Sequence, residues 1–372
     1  MIQKVQDTQE KRVLITGGNG HIASRLAQRF LQERDVRVML WLHADTLEEF
    51  TAKRAQLEEQ LSPAAGRVEY YCGDLASAKP FADVSPVGIH TVVHAAAVTR
   101  FNVEEDLAQR VNVEGSEKLM QFCTRIEGLQ RLALLSTVYT AGLHAGKIEE
   151  APLDDSAGFA NFYESSKWTA ESILQSRYAD LPWQICRIST IIAEDEDGVV
   201  GQYNAVHNTL KLLFYGLLPI IPGIAETPLY FVTSKFVTDA LFSLIHNAPV
   251  QRIYHVAHAR EHAITLGDFM QTCYHTFSTD ADFRRRRVIA PLYSDQLSFD
   301  RLADSVQGFG GAVMKQSVAS VAPFSKQLFS DKDVQNEAML TYQEQYRAPD
   351  MKKLVEKICL NLLLTRWNRQ AA

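Results

Sequence analysis

The sequence has no uninterrupted apolar run near the roughly 18 residues of a membrane helix, so no transmembrane segment is expected. Basic charge is not in excess: 38 Lys and Arg face 44 Asp and Glu, a formal net charge of −6. A nucleic-acid partner would favour a basic face, and the longest basic run is only the four arginines of FRRRRV, so no such partner is expected. Cysteine is scarce. The five residues Cys72, Cys123, Cys186, Cys273 and Cys359 are far apart, with no CxxC pair and no tight Cys/His cluster, so no metal site is expected. An odd count, partly inside apolar segments, reads as reduced core thiols in a cytoplasmic protein. The opening MIQKVQDTQEKR lacks the apolar core of a secretory signal. Repeats and low-complexity tracts are also missing. What remains is 372 residues, 46% hydrophobic and 22% charged, enough for one large or two modest globular domains.

Short apolar runs at 12–16, 36–42, 68–72, 91–96, 132–136 and 183–189 read as strands. Amphipathic stretches at 22–31, 48–61, 106–125 and 163–178 read as helices between them. Strand and helix alternating at this spacing imply an α/β fold, a parallel sheet with helices on both faces. The continuously apolar strands agree, because they would be buried on both sides. After residue 189 the rhythm changes. Segments 194–198 and 217–228 read as loops, 208–215, 236–246 and 265–277 as helices, and 252–257 as a late strand returning to the main sheet. The amphipathic 351–364 closes the chain as a helix whose Leu354, Ile358, Leu362 and Leu363 form an apolar face, closing a substrate lobe or meeting a partner or membrane surface. The expected division is a nucleotide-binding domain over 1–190 and a smaller, discontinuous, mainly helical lobe over 191–372, with about 228–257 returning to the first domain.

VLITGGNGHIA sets Gly17, Gly20 and Ala23 in a GxxGxxA pattern between a strand and a helix. The first glycine permits a tight turn, the second lets backbone approach a diphosphate, and the third, small residue lets helix pack on strand. The helix start at His21 and Ile22 would then face the diphosphate. This is the pattern of a Rossmann-type doubly wound sheet binding NAD(P). Asp74, with Leu75 in CGDL, is placed to accept from an adenine amino group or to cap a helix. Ala95 and Ala96, after His94, would admit the dinucleotide at the sheet edge. An acidic residue at the end of the second strand would bind the ribose hydroxyls of NAD. The sequence has His43 there, with Asp45 beyond, so NADPH is favoured and NADH is the alternative.

Tyr163 and Lys167 form YESSK, i and i+4 on one helical face. An ammonium nearby lowers the cost of phenolate, which makes Tyr163 a usable acid or base, and Lys167 could also hold the nicotinamide ribose. LALLST ends a strand, where a doubly wound sheet faces its ligand crevice. Thr137 is the preferred hydroxyl to polarise a carbonyl, with Ser136 the runner-up. Asn112 in RVNVEG would hold a water or a backbone carbonyl, or serve only to pack its helix.

The glycine loop, GDL, HAAA, NVEG, ST and YxxxK in this order resemble an extended short-chain dehydrogenase/reductase. Within that group VVHAAAVTRF, LLSTVYTAG, NFYESSKWTAESIL and LLPIIPGIAETPLYFVTSKFVTDAL look like the thioester reductase and fatty acyl-coenzyme A reductase branch, over about 11–275. The resemblance implies that Thr137 activates the carbonyl, Tyr163 is the acid/base, Lys167 positions the cofactor and tunes Tyr163, and Asn112 supports them. It implies NADPH-dependent reduction of an acyl thioester to an aldehyde, sometimes onward to an alcohol. With no adenylation or carrier domain beside it, the substrate would arrive on free coenzyme A or on a separate acyl carrier protein. A homodimer is what many such relatives lead one to expect. The chain departs from the pattern at His21, where an aromatic residue is usual, and at His43, where an Arg is. It departs again in CRIST, without the usual proline after Arg187, and at Ala193, where glycine is common. Alternatives are an extended reductase acting on a ketone, sterol or nucleotide sugar, and a catalytically silent cofactor sensor. Arg284, Arg285, Arg286 and Arg287 would suit a nucleotide-sugar diphosphate or form a solvated charge run.

Overall fold

The computed structural model describes residues 11–309 and 311–368. Seven strands form one sheet: β1 (Lys11–Thr16), β2 (Val36–Leu42), β3 (Val68–Cys72), β4 (Ile89–His94), β5 (Arg131–Thr137), β6 (Trp183–Ile188) and β7 (Arg252–Val256), in the order β7-β6-β5-β4-β1-β2-β3. The ladders joining β1 to β2 and β4, β2 to β3, and β4 to β5 are all parallel. Strand order reverses between β1 and β4, the switch point where a doubly wound sheet opens its crevice at the carboxyl ends of the strands.

The chain divides into two compact units. One comprises the residues up to Ser136, Ser166–Cys186 and Thr238–Tyr254; the other comprises Thr137–Ser165, Arg187–Val237 and the residues from His255 onward. In the first, Leu14, Met39, Trp41, Val92, Leu132 and Ile185 of the sheet pack with Leu119, Phe122 and Leu174 of its helices. Burying each such side chain contributes about 1.5–3 kcal/mol. The stretch 106–125, expected as one α-helix, is instead a one-turn α-helix Glu105–Ala108, a π-helix Gln109–Glu114 and an α-helix Gly115–Cys123. Gly115 is required here, since a Cβ on it would meet Leu75 Cβ at 2.6 Å.

The second unit is built on the helices Ala205–Phe214, Leu266–Phe277 and Met351–Leu364, whose apolar faces share a core with Trp367. Thr265 caps the second of these helices by accepting from the Asp268 N–H. Leu354, Ile358 and Leu362 of the last are buried in that core. Segment 217–228 was expected as a loop, but Ile220–Pro222 is a short strand paired in parallel with Leu292–Ser294. Among the described residues, no helix is long and apolar enough to cross a membrane.

Candidate active site

At the end of β1 the chain turns through Gly17, whose φ of +66° suits only a residue without Cβ. A Cβ there would stand 2.9 Å from Ala96 Cα and 3.0 Å from Ala96 N, so the β1 and β4 loops approach to a distance only glycine allows. The helix His21–Phe30 follows. Its N-cap is Gly20, without a side-chain cap, and its first turn holds no acidic residue. An N-terminus so arranged suits an anion, as a dinucleotide diphosphate requires. His21 is engaged within its own helix: its carbonyl accepts from Arg25 Nη1 at 2.8 Å and its Nδ1 lies 3.2 Å from the same atom.

A buried network fixes the opposite loop. Thr16 Oγ1 accepts from the Ala96 N–H at 3.2 Å and lies 2.7 Å from His94 Nδ1; His94 Nε2 lies 3.0 Å from Ser116 Oγ. Burial, and secondarily the Lys167 charge, pushes the His94 imidazole down to about 3, so it is neutral. Leu75 is buried, and the Asp74 carboxylate accepts from the Ala76 N–H at 2.9 Å in a turn. No helix begins there, which removes the helix-cap reading of Asp74. His43 Nε2 lies 3.6 Å from Asp45 Oδ1 and 3.9 Å from Asp74 Oδ1, giving this corner two carboxylates, while Lys53 donates to the His43 carbonyl at 2.8 Å.

Asn112 sits in the π-helix and is 1% exposed, which means every polar atom needs a partner. Its Oδ1 accepts from the Val98 N–H at 2.8 Å, and its Nδ2 donates to the Val98 carbonyl and to Ser166 Oγ, both at 3.0 Å. It therefore holds the backbone of the HAAAV loop rather than only packing its helix. Lys167 Nζ donates to the Leu135 carbonyl at 2.8 Å. Burial lowers its ammonium to about 8, partly offset by Glu171 one turn on. Ser136 donates to the Glu171 carboxylate, so this hydroxyl is engaged away from any carbonyl substrate.

In the second unit, Thr137 is buried and Tyr163 half-buried, and their side chains are hydrogen-bonded to each other. Thr137 Oγ1 also accepts from the Tyr139 N–H at 3.2 Å. Burial raises the Tyr163 phenol well above the usual range; the Thr137 bond opposes this, and nearby Glu164 and Tyr139 add to it. Tyr163 lies on the helix Phe162–Arg177, which also carries Ser166 and Lys167, with Lys167 one turn beyond.

Three participants were not singled out from the sequence. Thr16 and Ser116 look like ordinary strand and helix residues, and Glu164 like a surface charge. The basic run is structurally engaged: Arg284 donates to the Ser278 and Thr279 carbonyls, Arg285 pairs with Asp282, and Arg286 stacks 5.2 Å from Phe214 and 4.9 Å from Tyr215. Among the described residues, no group of three or more His, Cys, Asp and Glu side chains is arranged to hold a metal ion.

Residues 15–241 match the model of an NAD-binding family described as male sterility protein. A D-erythronate dehydrogenase of Cupriavidus necator is 26% identical over 244 residues, 63% of this chain and 72% of that protein. A fatty acyl-CoA reductase of Drosophila melanogaster is 22% identical over 184 residues; the chain spans only 35% of it. The crystal structure of the terminal R domain from the myxalamid PKS-NRPS biosynthetic pathway superposes with a TM-score of 0.74 at 17% identity, over 98% of this chain and 93% of that one. That likeness is one of fold.

Proposed function

The chain belongs to the male sterility protein family, among the extended short-chain dehydrogenases/reductases, and on that premise we propose that it reduces an acyl thioester to an aldehyde with NADPH. The observation that carries the reading is the Thr137–Tyr163 hydrogen bond at the start of the helix that bears Lys167. The cradle around Gly17, where a Cβ would strike the Ala96 backbone, fits a dinucleotide. Bound there, NADPH supplies the hydride. The Thr137 hydroxyl and Tyr163 phenol donate to the thioester oxygen and stabilise the charge that develops on it. The raised Tyr163 phenol keeps its proton until that oxygen takes it, and loss of the thiol then leaves the aldehyde. Lys167 holds the nicotinamide ribose, and Asn112 fixes the β4 loop. A second round would give the alcohol.

The thioester class is supported by the family and by LLPIIPGIAETPLYFVTSKFVTDAL, and coenzyme A or a separate acyl carrier protein is the proposed carrier. We assign His43 to the 2′-phosphate. Asp45 and Asp74 oppose it, so the preference over NADH is expected to be small. The test is NADPH consumption with medium- and long-chain acyl-coenzyme A, the same acyl groups on a carrier protein, and free ketones. Turnover of thioesters, lost by about 10²–10⁴-fold in Tyr163→Phe, supports the reading. Turnover of ketones alone overturns the substrate class, and tight cofactor binding without turnover of any of them overturns the enzyme reading.

A further inference from the structure

Glu164 follows Tyr163 in YESSK, and its side chain is wholly buried, where a helix of this kind would ordinarily expose a carboxylate. Part of its role is local. Asn161 Oδ1 accepts from the Glu164 N–H at 3.0 Å, and Glu164 Oε2 accepts from the Ala160 N–H at 2.9 Å, a reciprocal arrangement that closes the helix start. Asn161 Nδ2 adds a bond to Oε1 at 3.0 Å. The rest is not local. Gln327, 163 residues downstream, donates its Nε2 to Glu164 Oε2 at 2.9 Å and to the Gly142 carbonyl at 3.0 Å. Its Oε1 accepts from Lys332 Nζ at 2.7 Å, and Nζ also donates to Ser330 Oγ at 2.8 Å. Helix capping accounts for Asn161 and Ala160 but gives no reason for a buried lysine.

The ionisable groups around the carboxylate are few. The Lys332 ammonium lies on the far side of Gln327, and the phenols of Tyr163 and Tyr139 feel the carboxylate's charge. Burial pushes Glu164 up to about 7, opposed by the hydrogen bonds from Ala160 and Gln327 and then by the Lys332 charge, and burial pushes Lys332 down to about 8, opposed by the Glu164 charge. A buried carboxylate with no cation near it makes a neighbouring phenolate more costly, and the Lys332 charge offsets it.

We propose that Glu164, Gln327 and Lys332 form a positioning device for Tyr163, which anchors the first turn of its helix and balances the charge beside the phenol. The inference rests on Tyr163 being the acid/base of the proposed reaction. Lys332 acts through Glu164 and does not touch substrate.

The test uses the full chain carrying Lys332→Gln, Glu164→Gln, the two together, and Tyr163→Phe as reference. In an NMR titration of side-chain-labelled glutamate, the Glu164 signal is the one lost in Glu164→Gln. Its midpoint is expected to rise by about one unit or more in Lys332→Gln. In acyl-coenzyme A reduction, Lys332→Gln is expected to lower kcat about tenfold and displace its pH profile, while the double variant recovers to within about threefold of the parent. A midpoint that stays put, pH profiles that superimpose while only Tm falls, or a double variant no better than the worse single one overturns the proposal. Full activity in Tyr163→Phe would overturn the acid/base reading instead, and the glutamate titration would still decide the Glu164–Lys332 coupling.

Discussion

Replacing Gly17 with Ala perturbs the tightest point of the nucleotide loop. Two terms add. An L residue at a φ of +66° costs about 1–2 kcal/mol, and the new Cβ, 2.9 Å from Ala96 Cα and 3.0 Å from Ala96 N, meets backbone that cannot rotate away. The loop must then shift, which stretches the Ala96 N–H bond to Thr16 Oγ1, worth about 1 kcal/mol net. A total near 2–3 kcal/mol corresponds to a Tm loss of roughly 3–4 °C for a chain of this length. Gly88→Ala is the control. Its φ of +74° carries the same conformational cost, but the nearest atom to its Cβ is Arg12 Cδ at 3.6 Å, an ordinary contact. Urea denaturation should therefore show Gly17→Ala less stable than Gly88→Ala by about 1 kcal/mol. NADPH titration followed by fluorescence should show a Kd at least about tenfold weaker in Gly17→Ala alone, a loss of about 1.4 kcal/mol. Equal stability of the two variants together with an unchanged Kd would refute the close-approach argument.

Thr137→Val removes the hydroxyl at nearly constant volume and should lower kcat by about 10²–10³ with little change in KM, whereas Thr137→Ser should retain most activity. An equal loss in both would show that the methyl rather than the hydroxyl matters. Lys167, lowered by burial to about 8, loses its ammonium above that pH, so kcat/KM for reduction should fall on the alkaline side with a midpoint near 8. Glu171 opposes that lowering, so Glu171→Gln should move the limb to lower pH; a pH–rate profile with an unmoved limb would count against it. His94 and His255 are held down to about 3 and His258 to about 4, mainly by burial. Their contribution is complete above the usual pH of 6.5 and is lost as pH falls toward 3, at up to about 1.4 kcal/mol per pH unit for each. Urea denaturation between pH 7 and pH 5 should show that slope, and His255→Gln should reduce it by one proton's worth.

Much of the fold is legible in the amino-acid sequence. Strand 36–42 coincides with an observed strand because a parallel strand buried on both faces leaves a nearly continuous apolar run, while 68–72 coincides with a half-buried strand at the sheet edge. The glycine loop was legible because Gly17 answers a backbone demand that few residues meet. The π-helix was not, because a single extra residue barely disturbs the apolar period over 106–125. The pairing of Ile220–Pro222 with Leu292–Ser294 joins segments some seventy residues apart, and no local pattern announces it. Glu164 was hidden for the same reason. Its burial is decided by Gln327, far downstream, and nothing in YESSK marks it as an interior charge.

The wide turn that carries Asn112 also restricts the length of the chain. A π-helical turn is in effect an α-helix with one residue inserted. Deleting either Val113 or Glu114, between Asn112 and Ser116, would let the segment relax into regular α-helix. It would also rotate one side of it against the other by about 100°. With Ser116 and Leu119 holding the later part in place, Asn112 would swing away from Val98 and Ser166. Many point substitutions on the outward face of this segment should be harmless. Its residue count is fixed, so lengthening or shortening here is expected to be rarer among homologues than replacement.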